Sequence, residues 1–327
     1  MIGRGLKRAL DWRFGAIAAR LDGLYGRVDD LDRRQELIVG RLDQLTAMLD
    51  QLRGPAAQMS QTAEHASATH ALLEQRLQPA LRAILDEQAE NRRRLYRLRA
   101  DPGYDEPFTD PDPLVSITVA TIGRSALLDR ALPSLLGQTH AHLEVIVVGD
   151  AASPDVAKAV LAGGDSRVRY ANLSQRIVAH EDPRRHWLAG STMARNEAAR
   201  RAKGSWLVHF DDDDRLRPDA IASLLELARE QRAEVVYGGF EEHRPDGASS
   251  VGIGFPPRLG CFSWAGALVH GGLRFFEREL VAADLEMPGD MYLLERMLRA
   301  GVRFAPLEEI VLDYFPSTLW ESQRPPR

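Results

Sequence analysis

The sequence predicts an α/β domain built on a mostly parallel sheet with flanking helices, preceded by an α-helical coiled coil. Three observations predict this class. Residues 14 to 52 keep an unbroken heptad pattern, residues 101–113 break the composition, and from Leu114 short apolar runs alternate with helical stretches. The expected divisions are therefore a helical oligomerisation region at 1–100, a linker at 101–113, the α/β domain at 114–320 and a tail at 321–327. A chain of 327 residues with 44% hydrophobic composition has room for such a core beside a stalk.

In the first region the a positions are Phe14, Leu21, Val28, Gln35, Leu42 and Leu49, each followed three residues later by an apolar d residue. A stripe this narrow on one helix cannot build a globular core, so it calls for partner helices and self-association. Gln35, the single polar a residue, would fix register. Arg13, Arg20, Arg27, Arg34 and Arg41 fill the g positions, but only Asp32 answers them at e, so dimer and trimer both stay open. Trp12 and Phe14 beside Arg4, Lys7 and Arg8 also allow a second reading, peripheral contact with an anionic membrane surface. A second helical stretch at 57–99 carries Leu73, Leu77, Leu81, Ile84, Leu95 and Leu98 but is interrupted by Pro79. Folding back and continuing the stalk are equally compatible with it. DPGYDEPFTDPDP, residues 101–113, has four prolines and five acids with no base, and reads as a semi-rigid linker.

The α/β pattern runs in order. Strands are expected at 115–120, 143–148, 168–173, 206–210 and 235–240, and helices at 125–137, 154–162, 191–203 and 218–231. Ligands of such sheets gather at the carboxyl ends of the strands. Three polar signals fall there: ATIGR at 120–124, GDAAS at 149–153, and the run of four aspartates, Asp211 to Asp214, that closes the fourth strand. Neighbouring carboxylates repel, so the aspartate run reads either as a solvated loop that caps the following helix or as a cation site. The common position of the three signals favours the cation site.

Here the sequence resembles the GT-A glycosyltransferases, specifically glycosyltransferase family 2. The likeness spans about 114 to 315 and rests on four segments in order: VATIGRSALLDRALPSLLGQT, LEVIVVGDAAS, STMARNEAARRAKGSWLVHFDDDD and PGDMYLLERMLRAGVRFAP. It implies a Rossmann-like GT-A fold and an inverting, metal-dependent transfer of a sugar from a nucleotide donor to a glycan or other cell-envelope acceptor. It also implies roles for residues. Thr121, Asp150 and Arg195 would line the nucleoside pocket, Asp211 would face the ribose or the metal, and Asp213 would ligate Mg²⁺ or Mn²⁺. Asp212, grouped with the donor-binding residues, would orient the turn together with Asp214, for instance toward Arg215 or Arg217. Asp290, at a helix start, would be the general base, or simply a cap. Trp264 would stack on the acceptor sugar or lie in the core, and Arg195 has a surface ion pair as its bland alternative. The pattern departs from the family at Ala120, Ile122, Gly123 and Gly149, and Gly289 stands where the family has a second acid. His243 and His270 have no ligand spacing around them.

Composition narrows the classes further. One cysteine, Cys261, excludes an internal disulfide and a multi-cysteine metal site. No apolar run approaches the roughly 20 residues that span a bilayer, and Met1 to Arg20 is too charged for a signal peptide, so a cytoplasmic place is expected. The net charge of −5 argues against nucleic acid as a partner. Two other functions share these features: a nucleotidyltransferase, which would release pyrophosphate, and a coiled-coil scaffold with a degenerate transferase domain.

Overall fold

The computed structural model describes residues 43, 44, 46–48, 78–176 and 188–316. The heptad region and the 321–327 tail lie almost wholly outside them. Residues 43, 44 and 46–48 are helical. By contacts the chain divides into two compact units, Met1–Glu87 and Gln88–Arg327.

Helix α1 spans Gln78–Ala100. Residues 57–77, the part of the expected second helical stretch ahead of it, lie outside the described residues, and with them the expected interruption at Pro79. From residue 88 onward α1 belongs to the second unit. Leu95 is buried, and the Arg99 guanidinium holds the fully buried Glu234 through two hydrogen bonds of 2.7 Å. The boundary expected at residue 100 therefore lies nearer 87.

The expected linker is the clearest difference. Pro102–Asp105 forms a 3₁₀ turn and α2 spans Glu106–Thr109, each with proline in its first turn. Tyr104 and Phe108, one helical turn apart, are buried. The Tyr104 hydroxyl donates to Glu234 (2.8 Å), and Phe108 packs edge-on against Trp206 and flat against His270. Trp206 Nε1 donates to the Pro107 carbonyl. Prolines and acids dominate the composition, but the two aromatics decide the structure, because burying one such side chain contributes about 2–3 kcal/mol.

The sheet has the order β3-β2-β1-β4-β8-β6-β9-β5, with β7 on β6. Strands β1 (Val115–Thr121), β2 (Leu143–Gly149), β3 (Val168–Asn172) and β4 (Trp206–Asp211) are mutually parallel, as their alternation with helices requires. Beyond β4 the sheet turns mixed. Short β8 (Ala267–His270) runs antiparallel between β4 and β6 (Val235–His243), while β9 (Phe304–Tyr314) is parallel to β6. The strands β5 (Arg215–Leu216) and β7 (Ser249–Gly252) pair antiparallel with β9 and β6. The sheet is thus mixed where a mostly parallel one was expected.

Both faces are covered, which is why β1 and β2 are buried at every residue and read as continuous apolar runs. One face packs Ile117, Val145, Val208 and Phe210 against the 127–131 turn, α3 (Leu132–Leu136) and α6 (Ala220–Gln231). The other packs Ile146, Leu207 and Tyr237 against α5 (Thr192–Arg201), α8 (Gly289–Ala300) and Leu95 of α1. Between β2 and β3 lies α4 (Pro154–Leu161), and α7 (Val281–Asp284) precedes α8.

Candidate functional site

Parallel pairing brings three strand ends to one edge. Thr121 of β1 lies beside Gly149 of β2, and Ala120 lies beside Asp211 of β4. The Asp150 amide donates to the Thr121 carbonyl (2.8 Å), so the two loops are joined at their first residues. The Thr121 hydroxyl donates to Asp212 Oδ2 (2.5 Å) and accepts from the Gly123 amide (2.9 Å). Arg124 reaches across from the same loop to pair with both Asp212 and Asp213.

Each aspartate of the run has its own environment. Burial alone would raise the Asp211 carboxyl, but the Arg195 guanidinium, 2.5 Å away, outweighs it and holds the carboxyl below the usual range. Asp213 is pushed up to about 6, first by burial and then by the charges of Asp211 and Asp212, with Arg124 only partly offsetting them. Asp214 is completely buried and raised well above an ordinary carboxylate, again by burial and then by Asp211 and Asp213. Its Oδ1 accepts from the Phe315 amide (2.9 Å), while its Oδ2 has no hydrogen-bond donor among the described residues. Arg215 and Arg217, expected as partners of Asp212 and Asp214, pair instead with Asp313.

Below this edge a cavity of about 720 Å³ is lined by Arg195, Asp211, Asp213, Trp264, Arg278 and Asp290, among others. That volume suits a ligand of nucleotide-sugar size. Thr121, Asp150 and Asp212 lie outside the lining and support it from behind. Asp150 is buried, its carbonyl accepting from Arg176 (3.2 Å) and its carboxylate meeting the Ser191 hydroxyl at 3.5 Å.

Arg195 sits in the first turn of α5 and Asp290 in the first turn of α8. Asp290 Oδ1 accepts from the Met291 amide (2.8 Å). Its carboxyl is raised by the protein mass around it and by Asp211, against the opposing pull of Arg278. Trp264 is 4% exposed, its ring lies edge to face with His209 and Phe262, and its Nε1 donates to the Asp290 carbonyl (2.8 Å). Its ring has too little open surface to carry a stacked sugar, so it acts as the prop of the Asp290 turn. Underneath, His209 is buried and held neutral by burial first, then by the nearby Arg278 and Arg195.

The ligand atoms of Glu241, His243 and Asp313 lie within 4.8 Å of one another. Arg217 pairs with Glu241 and Asp313, and Arg215 with Asp313, so two guanidiniums already supply the positive charge that a metal ion would bring. His270 is a core residue, accepting from the Gly272 amide and facing the Tyr104 carbonyl. Arg278 was not foreseen. In the sequence it stands between Glu277 and Glu279, a pattern of alternating charge that marks a solvated face.

Residues 116–253 match the family model of Glycosyl transferase family 2. The chain is 29% identical over 143 residues to the succinoglycan biosynthesis protein ExoO of Rhizobium meliloti, covering 44% of this chain and 38% of that protein. It is 28% identical over 141 residues to the putative teichuronic acid biosynthesis glycosyltransferase TuaG of Bacillus subtilis, covering 43% and 52%. The GalNAc(5)-diNAcBac-PP-undecaprenol beta-1,3-glucosyltransferase of Campylobacter jejuni is 31% identical over 125 residues, covering 38% and 37%. The matches thus span about half or less of these relatives' lengths. Among solved structures, S. aureus TarS 1-349 in complex with UDP superposes with a TM-score of 0.48 and 16% identity, over 62% of this chain and 60% of that one. What matches glycosyl transferase family 2 is therefore the segment that builds β1 to β7 and the aspartate turn, while Trp264, Arg278 and Asp290 come from the chain beyond it.

Proposed function

We propose that this protein is an inverting glycosyltransferase that moves a sugar from a nucleoside diphosphate donor to a glycan or other cell-envelope acceptor. The observation that carries the reading is the meeting of Asp211 and Asp213 with Asp290 in one cavity, on an edge built by the segment that matches family 2. The names of the relatives, in succinoglycan, teichuronic acid and undecaprenol-linked glycan synthesis, support the acceptor class.

The donor set fits a divalent cation. Four acidic side chains at 211–214 meet the two guanidiniums of Arg124 and Arg195, so acids outnumber paired bases in the turn. The raised Asp213 carboxyl and the Asp214 Oδ2 that finds no donor among the described residues express the same deficit. Asp213 and Asp211 would hold Mg²⁺ or Mn²⁺, both of which prefer oxygen ligands. When bound, such an ion supplies charge neutralisation at the departing diphosphate.

This chain's own residues do the rest. Asp290 accepts the proton of the acceptor hydroxyl, and the oxygen's electron pair bonds to the anomeric carbon. The bond from that carbon to the diphosphate oxygen breaks, its electrons leaving with the nucleoside diphosphate. A carboxyl raised above its ordinary value is the stronger base, and Asp290 meets that condition. Trp264 fixes the Asp290 main chain, and Arg195 steadies Asp211. Thr121, Asp150 and Asp212 would shape the nucleoside side of the site from behind.

Release of nucleoside diphosphate from a panel of nucleotide sugars, wild type beside Asp213→Ala and Asp290→Ala, tests the reading. Losses of about 10²-fold or more are expected in each. Turnover unchanged in both variants sinks the site, and release of pyrophosphate from nucleoside triphosphates would make the protein a nucleotidyltransferase. The heptads of residues 14–52 would gather copies of the chain, and the basic, aromatic first 20 residues would permit peripheral membrane contact. No described helix is long and apolar enough to cross a membrane.

A further inference from the structure

Arg278 lines the cavity and is only 6% exposed, yet no hydrogen bond or ion pair engages its guanidinium among the described residues. Its neighbours in sequence are both carboxylates, and both are committed elsewhere: Glu277 pairs with Arg200 and Glu279 with Arg296. Its main chain is pinned. The Arg278 amide donates to Asn196 Oδ1 (2.9 Å) and its carbonyl accepts from Asn196 Nδ2 (2.8 Å), with Asn196 itself buried on α5. A residue whose main chain is pinned while its guanidinium has no partner among the described residues is prepared for an anion that arrives from outside.

The charges that act on it most strongly belong to the site. After burial, the largest influence is the repulsion of Arg195, and the two together lower the guanidinium to about 9 despite Asp290 and Asp211. Arg195 is answered by Asp211, while Arg278 is not answered. Two guanidiniums close enough to repel, on the wall of one cavity, suit a ligand with several oxygens and more than one negative charge. A single carboxylate would not satisfy both.

We propose that Arg278, with Arg195 beside it, receives the diphosphate of the nucleotide donor and holds the negative charge that grows as the sugar leaves. The inference rests on the nucleotide-donor reading above and adds a phosphate-binding residue that the family-2 match, ending at residue 253, does not cover. Arg278 supplies a cation on the cavity wall, opposite in kind to the aspartate turn, which would need a metal ion to meet the same group.

The probe is inorganic pyrophosphate, titrated calorimetrically into the full-length protein in EDTA and again with Mg²⁺. Arg278→Gln should weaken pyrophosphate binding at least about tenfold, Arg278→Lys should recover part of it, and Arg200→Gln, which removes an equal charge outside the cavity, should leave it unchanged. Loss of a buried, unpaired charge should not lower Tm; if the Gln variant fails to fold, Arg278→Met, which fills the wall with an unbranched apolar chain, takes its place. Equal pyrophosphate affinity in wild type and the neutral variant, or no pyrophosphate binding by wild type in either condition, overturns the assignment. A parallel titration with UDP, GDP and dTDP separates the two readings. If none binds more tightly than pyrophosphate, the donor reading fails while the pyrophosphate result still decides Arg278.

Discussion

The indole N–H of Trp264 donates to the main-chain carbonyl of Asp290 across 2.8 Å. The bond joins the 3₁₀ turn Trp264–Gly266 to the first turn of α8, two segments 26 residues apart. It leaves the Asp290 carboxylate free to act while preventing the turn beneath it from shifting.

Trp264→Phe keeps the ring and removes the donor. A net hydrogen bond of about 1 kcal/mol corresponds to roughly a fivefold fall in kcat. The KM for the donor and the acid limb of the pH profile should stay in place, because no ionisable group has changed. Steady-state kinetics at several pH values check this, and a shifted acid limb would mean that Trp264 does more than position.

Acidity should act on stability and activity in opposite directions through Asp213. Its folded value of about 6 lies above the ordinary 3.8, so between those values the folded protein binds the extra proton. Without metal, this group therefore stabilises the fold at low pH and that contribution disappears as pH rises from about 4 to 6. Asp213→Asn should raise the Tm of the metal-free protein at pH 7.5, by the equivalent of about 1–3 kcal/mol, while abolishing most turnover. Activity of the wild type should fall below about pH 6, where Asp213 takes up a proton. Thermal denaturation with EDTA and with Mn²⁺ reads both effects, since a bound divalent ion should raise Tm in wild type far more than in the variant.

Glu234 is completely buried and accepts from Arg99, Tyr104 and the Arg303 amide, which together hold its carboxyl below the usual range against the cost of burial. Arg99→Ala strands that charge and should cost about 3 kcal/mol in urea denaturation. Arg99→Met with Glu234→Gln should recover much of it. Recovery would show that the loss comes from the stranded carboxylate.

The heptads predict that the full chain self-associates. Light scattering should give a mass of two or three chains, and paired substitution Leu21→Asp, Leu24→Asp should reduce it to one without changing nucleotide binding. A single-chain mass for the wild type would remove the oligomer from the account.

The strand ends were legible because β1, β2 and β4 are fully covered, so their apolar runs stop sharply and the polar residues that follow mark the edge. The meeting of Thr121 with Asp212 was not legible, because it depends on which strands are neighbours. Short β8 escaped for a related reason: four buried residues between a 3₁₀ turn and a second turn carry no period to read. Trp264 was read from its residue type alone, and only tertiary packing showed its ring covered by His209 and Phe262. The partnership expected of Arg215 and Arg217 with the aspartate turn failed because β5 turns both toward Asp313 on β9.

The strap at 101–109 has a practical consequence for dissecting the chain. A fragment cut to the limits of sequence similarity, starting near residue 114, would lose the aromatic cover of Trp206 and His270 and two anchors of Glu234, Arg99 and Tyr104. Its raw edge would be apolar and sticky, and such a fragment should precipitate where one beginning ahead of Gln88 stays in solution. In this protein the border drawn by ancestry, at residue 116, and the border drawn by packing, at Gln88, fall 28 residues apart.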